Sequence, residues 1–331
     1  MSPQHFYYFQ KLTHIFKRWF MKACSFLPAA TQMIYDMNLQ NLLYGVTFEC
    51  SPLSRQEKPI IVRCVLEDNH FTSEEIDKVF SAYKAEGRSL YYVEQERLEK
   101  AAPDVIFTQD VCEVCQIDTV CTSAAVAQLA KQPQLVALTP KNLRDVFDCA
   151  VQVATALGQE EAAYHYLAGL NRRIDKVIDT LRANKAPLRR ISLMEWIQPI
   201  YNCGHWIPYQ IAFAGGVDML SNPAGYSIVT AWEKFKLYDP EILVIAPCGF
   251  DIARTYEEIS LLEAQEGWND LQAVKNQKVF IADYDMFTQP SASTLVDGIE
   301  VLAAIFHPEL FQIPAHLQHK CTQYKPLAYS V

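Results

Sequence analysis

Two cysteines at chelating distance open the chemistry of this chain. Cys112 and Cys115 lie in DVCEVC, directly after the apolar run VIFTQ, and Cys121 follows. Thiols at C-x-x-C spacing can supply half of a metal site, or cycle as a dithiol where they begin a helix. Four-thiolate zinc would need more sulfur from Cys50, Cys203 or Cys248, because the sequence holds no second C-x-x-C. Unliganded structural thiols are the third alternative. His205 stands between Gly204 and Trp206 ahead of an apolar run. Its neutral ring nitrogen could approach a metal centre, or the ring could simply cap or brace a helix start. Phe48, Trp196, Trp206, Tyr226 and Phe250 add large flat side chains, which bury much area at small entropic cost and suit a wide ligand. Taken singly, each is an ordinary core residue; as a group at strand ends they favour a cleft. Glu49 and Glu195 offer carboxylates of unknown separation. The chain has no G-x-S-x-G, no P-loop, no G-x-G-x-x-G and no H-E-x-x-H, so an enzyme is not expected.

These residues need elements to hold them, and the hydrophobic pattern supplies strands. ACSFL, LLYGVT, DVIFTQ, QLVALTP, RRISLMEWI, EILVIAP and KVFIADY read as strands, with helical runs between them. That alternation predicts an α/β fold with mostly parallel sheets. Ligands of such sheets bind beyond the carboxyl ends of the strands, which is where Phe48, Glu49, Trp196 and Phe250 fall. Thr72 or Ser73 is a plausible N-cap for the helix EEIDKVFSAYKAE. Between the two strand-rich halves runs Gln159–Ala183, whose Ala163, Tyr166, Leu167, Leu170, Ile174, Val177, Ile178 and Leu181 form one apolar stripe. It predicts a single helix of about 37 Å, with Arg172, Arg173, Asp175 and Lys176 off the stripe in water. The expected organisation is an extension at 1–20, an N-terminal α/β lobe at 21–140, a helical linker at 141–184 and a C-terminal α/β lobe at 185–331. Residues after Pro314 lack a period and are expected to form a tail.

Bulk properties remove some function classes. A net charge of −9 over 331 residues leaves no basic surface to track phosphates, so nucleic acid is not an expected partner. No apolar run reaches membrane-spanning length. In residues 1–20, Lys11, His14, Lys17 and Arg18 interrupt the apolar core a signal peptide needs. The segment reads as an extension, or less favourably as an amphipathic surface anchor. Ten cysteines would risk mispairing in an oxidising compartment. A cytoplasmic monomer is therefore expected, with the periplasm as the alternative location.

The stretches SFLPAATQMIY, LLYGVTFECSP, RLEKAAPDVIFTQDVCEVC, MEWIQPIYNCGHWIP, AWEKFKLYDPEILVIAPCGFD and STLVDGIEVLAAIFHPELF carry a resemblance. From Met21 to about Phe311 the chain resembles the periplasmic substrate-binding proteins that serve ABC importers of cobalamin, haem and iron-siderophores, the cobalamin branch most of all. The resemblance implies two Rossmann-like lobes with mostly parallel sheets joined by one long helix. It implies capture of cobalamin, or a related metal-tetrapyrrole or iron chelate, between them, with no covalent cofactor. Phe48, Trp196, Trp206 and Phe250 would meet the faces of that ligand and Tyr226 would line the cleft with them, with polar contacts from His205 and Glu49. The partner implied is an ABC importer, docked through one exposed glutamate per lobe, and the matching positions are Glu96 and Glu233. The alternative is a cytoplasmic metal-binding or thiol-redox protein on the same scaffold, acting through Cys112 and Cys115 with a bound metal ion.

Overall fold

The first half of the chain lays down six short apolar strands with helices between them. A computed structural model describes residues 21–67, 69–109 and 119–325. In order come β1 (Ala23–Ser25), α1 (Pro28–Asp36), β2 (Leu43–Thr47), α2 (Pro52–Glu57), β3 (Ile60–Cys64), α3 (Ser73–Ala85), β4 (Tyr91–Val93), α4 (Gln95–Ala101), β5 (Val105–Gln109), α5 (Thr119–Val126) and β6 (Gln134–Leu138). Their sheet has the order β4-β3-β2-β1-β5-β6. Every pair in it is parallel except β3 with β4. β1 and β5 are buried along their whole length, as strands covered on both faces must be. The sequence reading passed over β3 and β4, since IIVRC and YYV are too short to show alternation.

α6 (Leu143–Ala156) and α7 (Glu160–Ala183) follow. α7 is one unbroken helix of 24 residues, one residue shorter than its apolar stripe predicts. Arg173 does not stand in water as expected. Its guanidinium spans Glu300, at 3.0 and 2.8 Å, and Asp297, at 2.5 Å. A residue off the apolar stripe can still face a neighbouring helix that carries acids.

The second half adds β7 (Arg189–Trp196), β8 (Tyr201–Asn202), β9 (Gly204–His205), α8 (Ile207–Phe213), β10 (Gly216–Val217), β11 (Asn222–Pro223), β12 (Ile228–Val229), α9 (Trp232–Tyr238), β13 (Ile242–Ile245), α10 (Ile252–Glu258), α11 (Ser260–Glu263), α12 (Gln272–Lys275), β14 (Val279–Ala282), α13 (Ala292–Phe306) and β15 (Cys321–Gln323). The sheet runs β12-β8-β7-β13-β14-β15, with β10 beside β7. Its centre, β7-β13-β14, is parallel. Trp232 stacks on Phe235 at 5.4 Å and on Trp268 at 6.3 Å in the core beneath. The expected tail after Pro314 is instead β15, antiparallel to β14, and Tyr324 closes it with its N–H on the Val279 carbonyl at 2.8 Å. Three residues are too few to show a period.

The chain divides into two units. One lies within Met1–Asn69, Tyr83–Thr139 and Phe147–Leu167; the other takes His70–Ala82, Pro140–Val146 and Ala168–Val331. The chain passes between them for the last time inside α7, between Leu167 and Ala168. The fold is α/β in two units: the first sheet is mostly parallel, the second is parallel at its centre with antiparallel pairs at both edges, and one long helix joins the units.

Candidate functional site

In the first unit the candidate residues follow β2. Phe48 is held where its N–H meets the Val62 carbonyl at 3.1 Å, and its ring tilts against Tyr91 at 6.3 Å. Glu49, next in the turn, is part-exposed, yet its carboxyl is poorly solvated. Burial, with the Glu67 carboxylate nearby, pushes its pKa up to about 8. A carboxyl in that setting favours its neutral form, which can donate a hydrogen bond. Glu67 is already occupied, accepting from the Cys64 amide and from Arg63 at 2.8 Å each.

In the second unit two clusters form. Trp196, at the end of β7, meets Phe250, in the turn after β13, at 5.3 Å with rings 50° apart. The Trp196 indole N–H donates to the Gln198 carbonyl at 3.1 Å. The Cys248 amide bonds the Glu195 carbonyl at 3.0 Å, tying the two strand ends together. Arg254, four residues on from Phe250 in α10, lies over the Phe250 ring at 4.4 Å. Phe250 is only 4% exposed. No reading of the sequence singled out Arg254. A signal was there in F-D-x-x-R, an aspartate N-cap with aromatic and cation at helical spacing; the Asp251 side chain does accept from the Arg254 amide at 2.7 Å.

The second cluster is built on β9 and β11. His205 has φ 53°, a left-handed conformation that a non-glycine residue adopts only when its surroundings enforce it. Here its N–H donates to the Gly225 carbonyl at 2.7 Å, and its carbonyl accepts from Ala224 at 3.0 Å. Gly204 permits the approach: a Cβ there would stand 2.6 Å from backbone atoms of Gly225, Tyr226 and Ser227. The His205 ring lies 5.3 Å from Trp206 and 5.5 Å from Tyr226, edge-on to the latter. Burial lowers its pKa, so the imidazole is neutral at pH 7. Tyr226 is 70% exposed, whereas Trp206 is 6% exposed and spends its indole N–H on the Phe287 carbonyl at 2.6 Å. Tyr226 therefore offers far more ring surface to a ligand than Trp206 does.

The structure thus groups Trp196 with Phe250, and His205 with Trp206 and Tyr226, in the second unit. Phe48 and Glu49 adjoin in the first. Glu96 and Glu233 are both exposed. Each stands in the first turn of a seven-residue helix, α4 or α9, and each helix ends on a left-handed residue, Ala102 or Asp239. Cys112 and Cys115 lie outside the described residues, as do 1–20. Cys50 and Cys203, named as further sulfur ligands, are buried with their thiols pushed up, Cys50 to about 12. Among the described residues no group of three or more His, Cys, Asp or Glu is arranged to hold a metal ion.

Flat rings, a neutral imidazole and a carboxyl with a raised pKa beyond strand ends are groups that hold a solute. Residues 65–286 match the family described as periplasmic binding protein, and the chain belongs to that family. No curated protein matches it by sequence. Among solved structures, a periplasmic heme-binding protein of Pseudomonas aeruginosa superposes with TM-score 0.64 at 14% identity, covering 88% of this chain and 94% of that one. The periplasmic vitamin B12-binding protein BtuF of Vibrio cholerae gives 0.59 at 16%, covering 88% and 98%. IsdE of S. aureus, complexed with heme, gives 0.63 at 13%, covering 87% and 99%. At such identities the likeness shows the fold. The family captures small molecules for ABC importers and does not catalyse, so the chain is a binding protein and not an enzyme.

The expected cytoplasmic location is corrected by the same finding, because a periplasmic family with periplasmic structural neighbours favours the periplasm. The cysteine count misled for a physical reason. Of the eight described cysteines six are buried, Cys24 and Cys149 among them at 0 and 3% exposed. Buried thiols act as small hydrophobes and are shielded from mispairing once the chain is folded.

Proposed function

We propose that the chain captures cobalamin, or a related metal-tetrapyrrole or iron chelate, and presents it to an ABC importer. The observation that carries this reading is the His205 platform. A neutral, part-exposed imidazole stands on a constrained backbone between two aromatic rings, one of them open to solvent. Such a nitrogen can meet a metal centre directly, and Tyr226 beside it can cover a macrocycle edge. Trp196 and Phe48 supply further ring surface, Phe250 adds its own only where the Arg254 guanidinium over it is displaced, and Glu49, in its neutral form, donates to a carbonyl or carboxylate at the ligand's rim. Glu96 and Glu233 are the docking acids, matched in helix length, position and left-handed cap, and they suit arginines on the importer.

Absorption titrations with hemin, cyanocobalamin and dicyanocobinamide test the ligand. A spectral shift at micromolar concentration or below is expected with at least one. His205→Ala then weakens that binding by about ten-fold or more, the loss of a contact at a central position. No shift with any of the three overturns the reading.

A further inference from the structure

The N-terminal end of α3 is held in an unusual way. Ser73 is the only fully buried residue among the 13 of that helix, with Ile76, Val79 and Phe80 part-buried behind it. Thr72 caps it, accepting from the Glu75 amide at 3.2 Å while Glu75 accepts from the Thr72 amide at 2.8 Å. Within the second unit this end is fastened to α10. The Ser73 amide donates to Glu258 at 2.8 Å. Arg254 donates both to that same Glu258 oxygen and to the Phe71 carbonyl. His70 meets Glu257 at 2.8 Å. The Arg254 and Glu258 side chains are 17 and 5% exposed, so this is a desolvated pair rather than a surface contact. The guanidinium that makes these bonds is the one stacked over Phe250 at 4.4 Å.

We infer that Arg254 is a clasp shared by two elements: it covers one face of the Phe250 ring and, with Glu258, pins residues 70–73 and the start of α3 to α10. One planar cation serves both, since its edge donates to Phe71 and Glu258 while its face lies on the ring. The ring platform and the strap are consequently coupled. Whatever takes the Phe250 face displaces the guanidinium and loosens the strap; whatever lifts the strap bares the ring. For ligand capture this makes Arg254 a positioning residue, which sets when Phe250 is open. That consequence rests on the reading of Phe250 as a ligand contact.

The test uses no ligand, so failure of the chelate reading and failure of the clasp are separable. Amide hydrogen exchange is followed over residues 70–76, with β13 as the internal reference for global folding. Arg254→Met leaves Glu258 buried without its cation, and exchange over 70–76 is expected to rise at least about ten-fold while β13 stays protected. Phe250→Leu removes only the stacking platform and should raise strap exchange about three-fold. The double variant should exchange no faster than Arg254→Met alone, because both changes act through one guanidinium. If Arg254→Met fails to fold, seen as lost β13 protection, Arg254→Lys carries the test; it keeps the charge, loses the fork, and is expected to give a smaller rise. Wild-type exchange over 70–76 in the Arg254 variant that folds overturns the clasp. So does a Phe250→Leu variant whose strap is as protected as wild type, or single effects that add in the double variant.

Discussion

Replacing Asp218 by asparagine should change how stability depends on pH. Asp218 is 8% exposed. Its two carboxylate oxygens accept from the Leu193 and Leu220 amides at 2.9 Å each, and it lies beside the Ser192–Asn202 pair. Despite those bonds, burial raises its pKa from 3.8 to about 6. At about 1.4 kcal/mol per pKa unit, ionising this group in the folded chain costs about 3 kcal/mol more than in the unfolded one. The folded state holds the proton more tightly, so the contribution is fully present below pH 4 and is lost as pH rises to 6 and beyond. Asparagine cannot ionise and carries no such slope. It adds a pH-independent penalty of about 1–3 kcal/mol, since its amide nitrogen turns toward one of the two backbone N–H donors. Urea unfolding of both proteins at half-unit steps from pH 4 to 7.5 separates the two effects. The wild type is expected to lose about 2.4 kcal/mol relative to the variant across that range. A wild-type-minus-variant difference that stays flat with pH would refute the reasoning.

Three other outcomes are expected. Gly204→Ala forces a Cβ into the backbone of 225–227; urea unfolding should show a loss of about 2–3 kcal/mol, with weaker binding of whichever chelate the wild type takes. Arg173→Ala leaves Asp297 and Glu300 without their shared cation and, as the site is partly open to water, should cost about 1–3 kcal/mol by the same measurement. Reversing both Glu96 and Glu233 to lysine should abolish uptake in a transport assay while leaving chelate affinity unchanged, and uptake that survives would remove these acids from docking.

The parts of the fold legible in the sequence were those with long or strong patterns. α7 declares itself through a stripe sustained over 24 residues, β13 through an uninterrupted apolar run and β5 through its opening Val105-Ile106-Phe107. The two-residue strands β8 to β12 and the three-residue β15 carry no pattern of their own; their pairing is decided by neighbours elsewhere in the chain. The same holds for the site. Trp196, His205 and Phe250 could be proposed because each sits beside a readable strand or helix start. Arg254 could not be tied to Phe71, because 183 residues separate them and nothing local records the pairing. Left-handed His205 is likewise fixed by Gly225 and Ala224 across a loop, a tertiary constraint on backbone conformation.

The second unit borrows His70–Ala82 and Pro140–Val146 from ahead of α7, and this bears on how the protein can be cut and how it is made. A fragment beginning at Ala168 would carry both sheet and core yet lack the strap, leaving Arg254 and Glu258 facing water and one anchoring carbonyl short. During synthesis the early segment emerges well over a hundred residues before the helix that receives it. Its contacts to α10 can form only after α10 has left the ribosome, so bonds made late in synthesis join some of the first residues made.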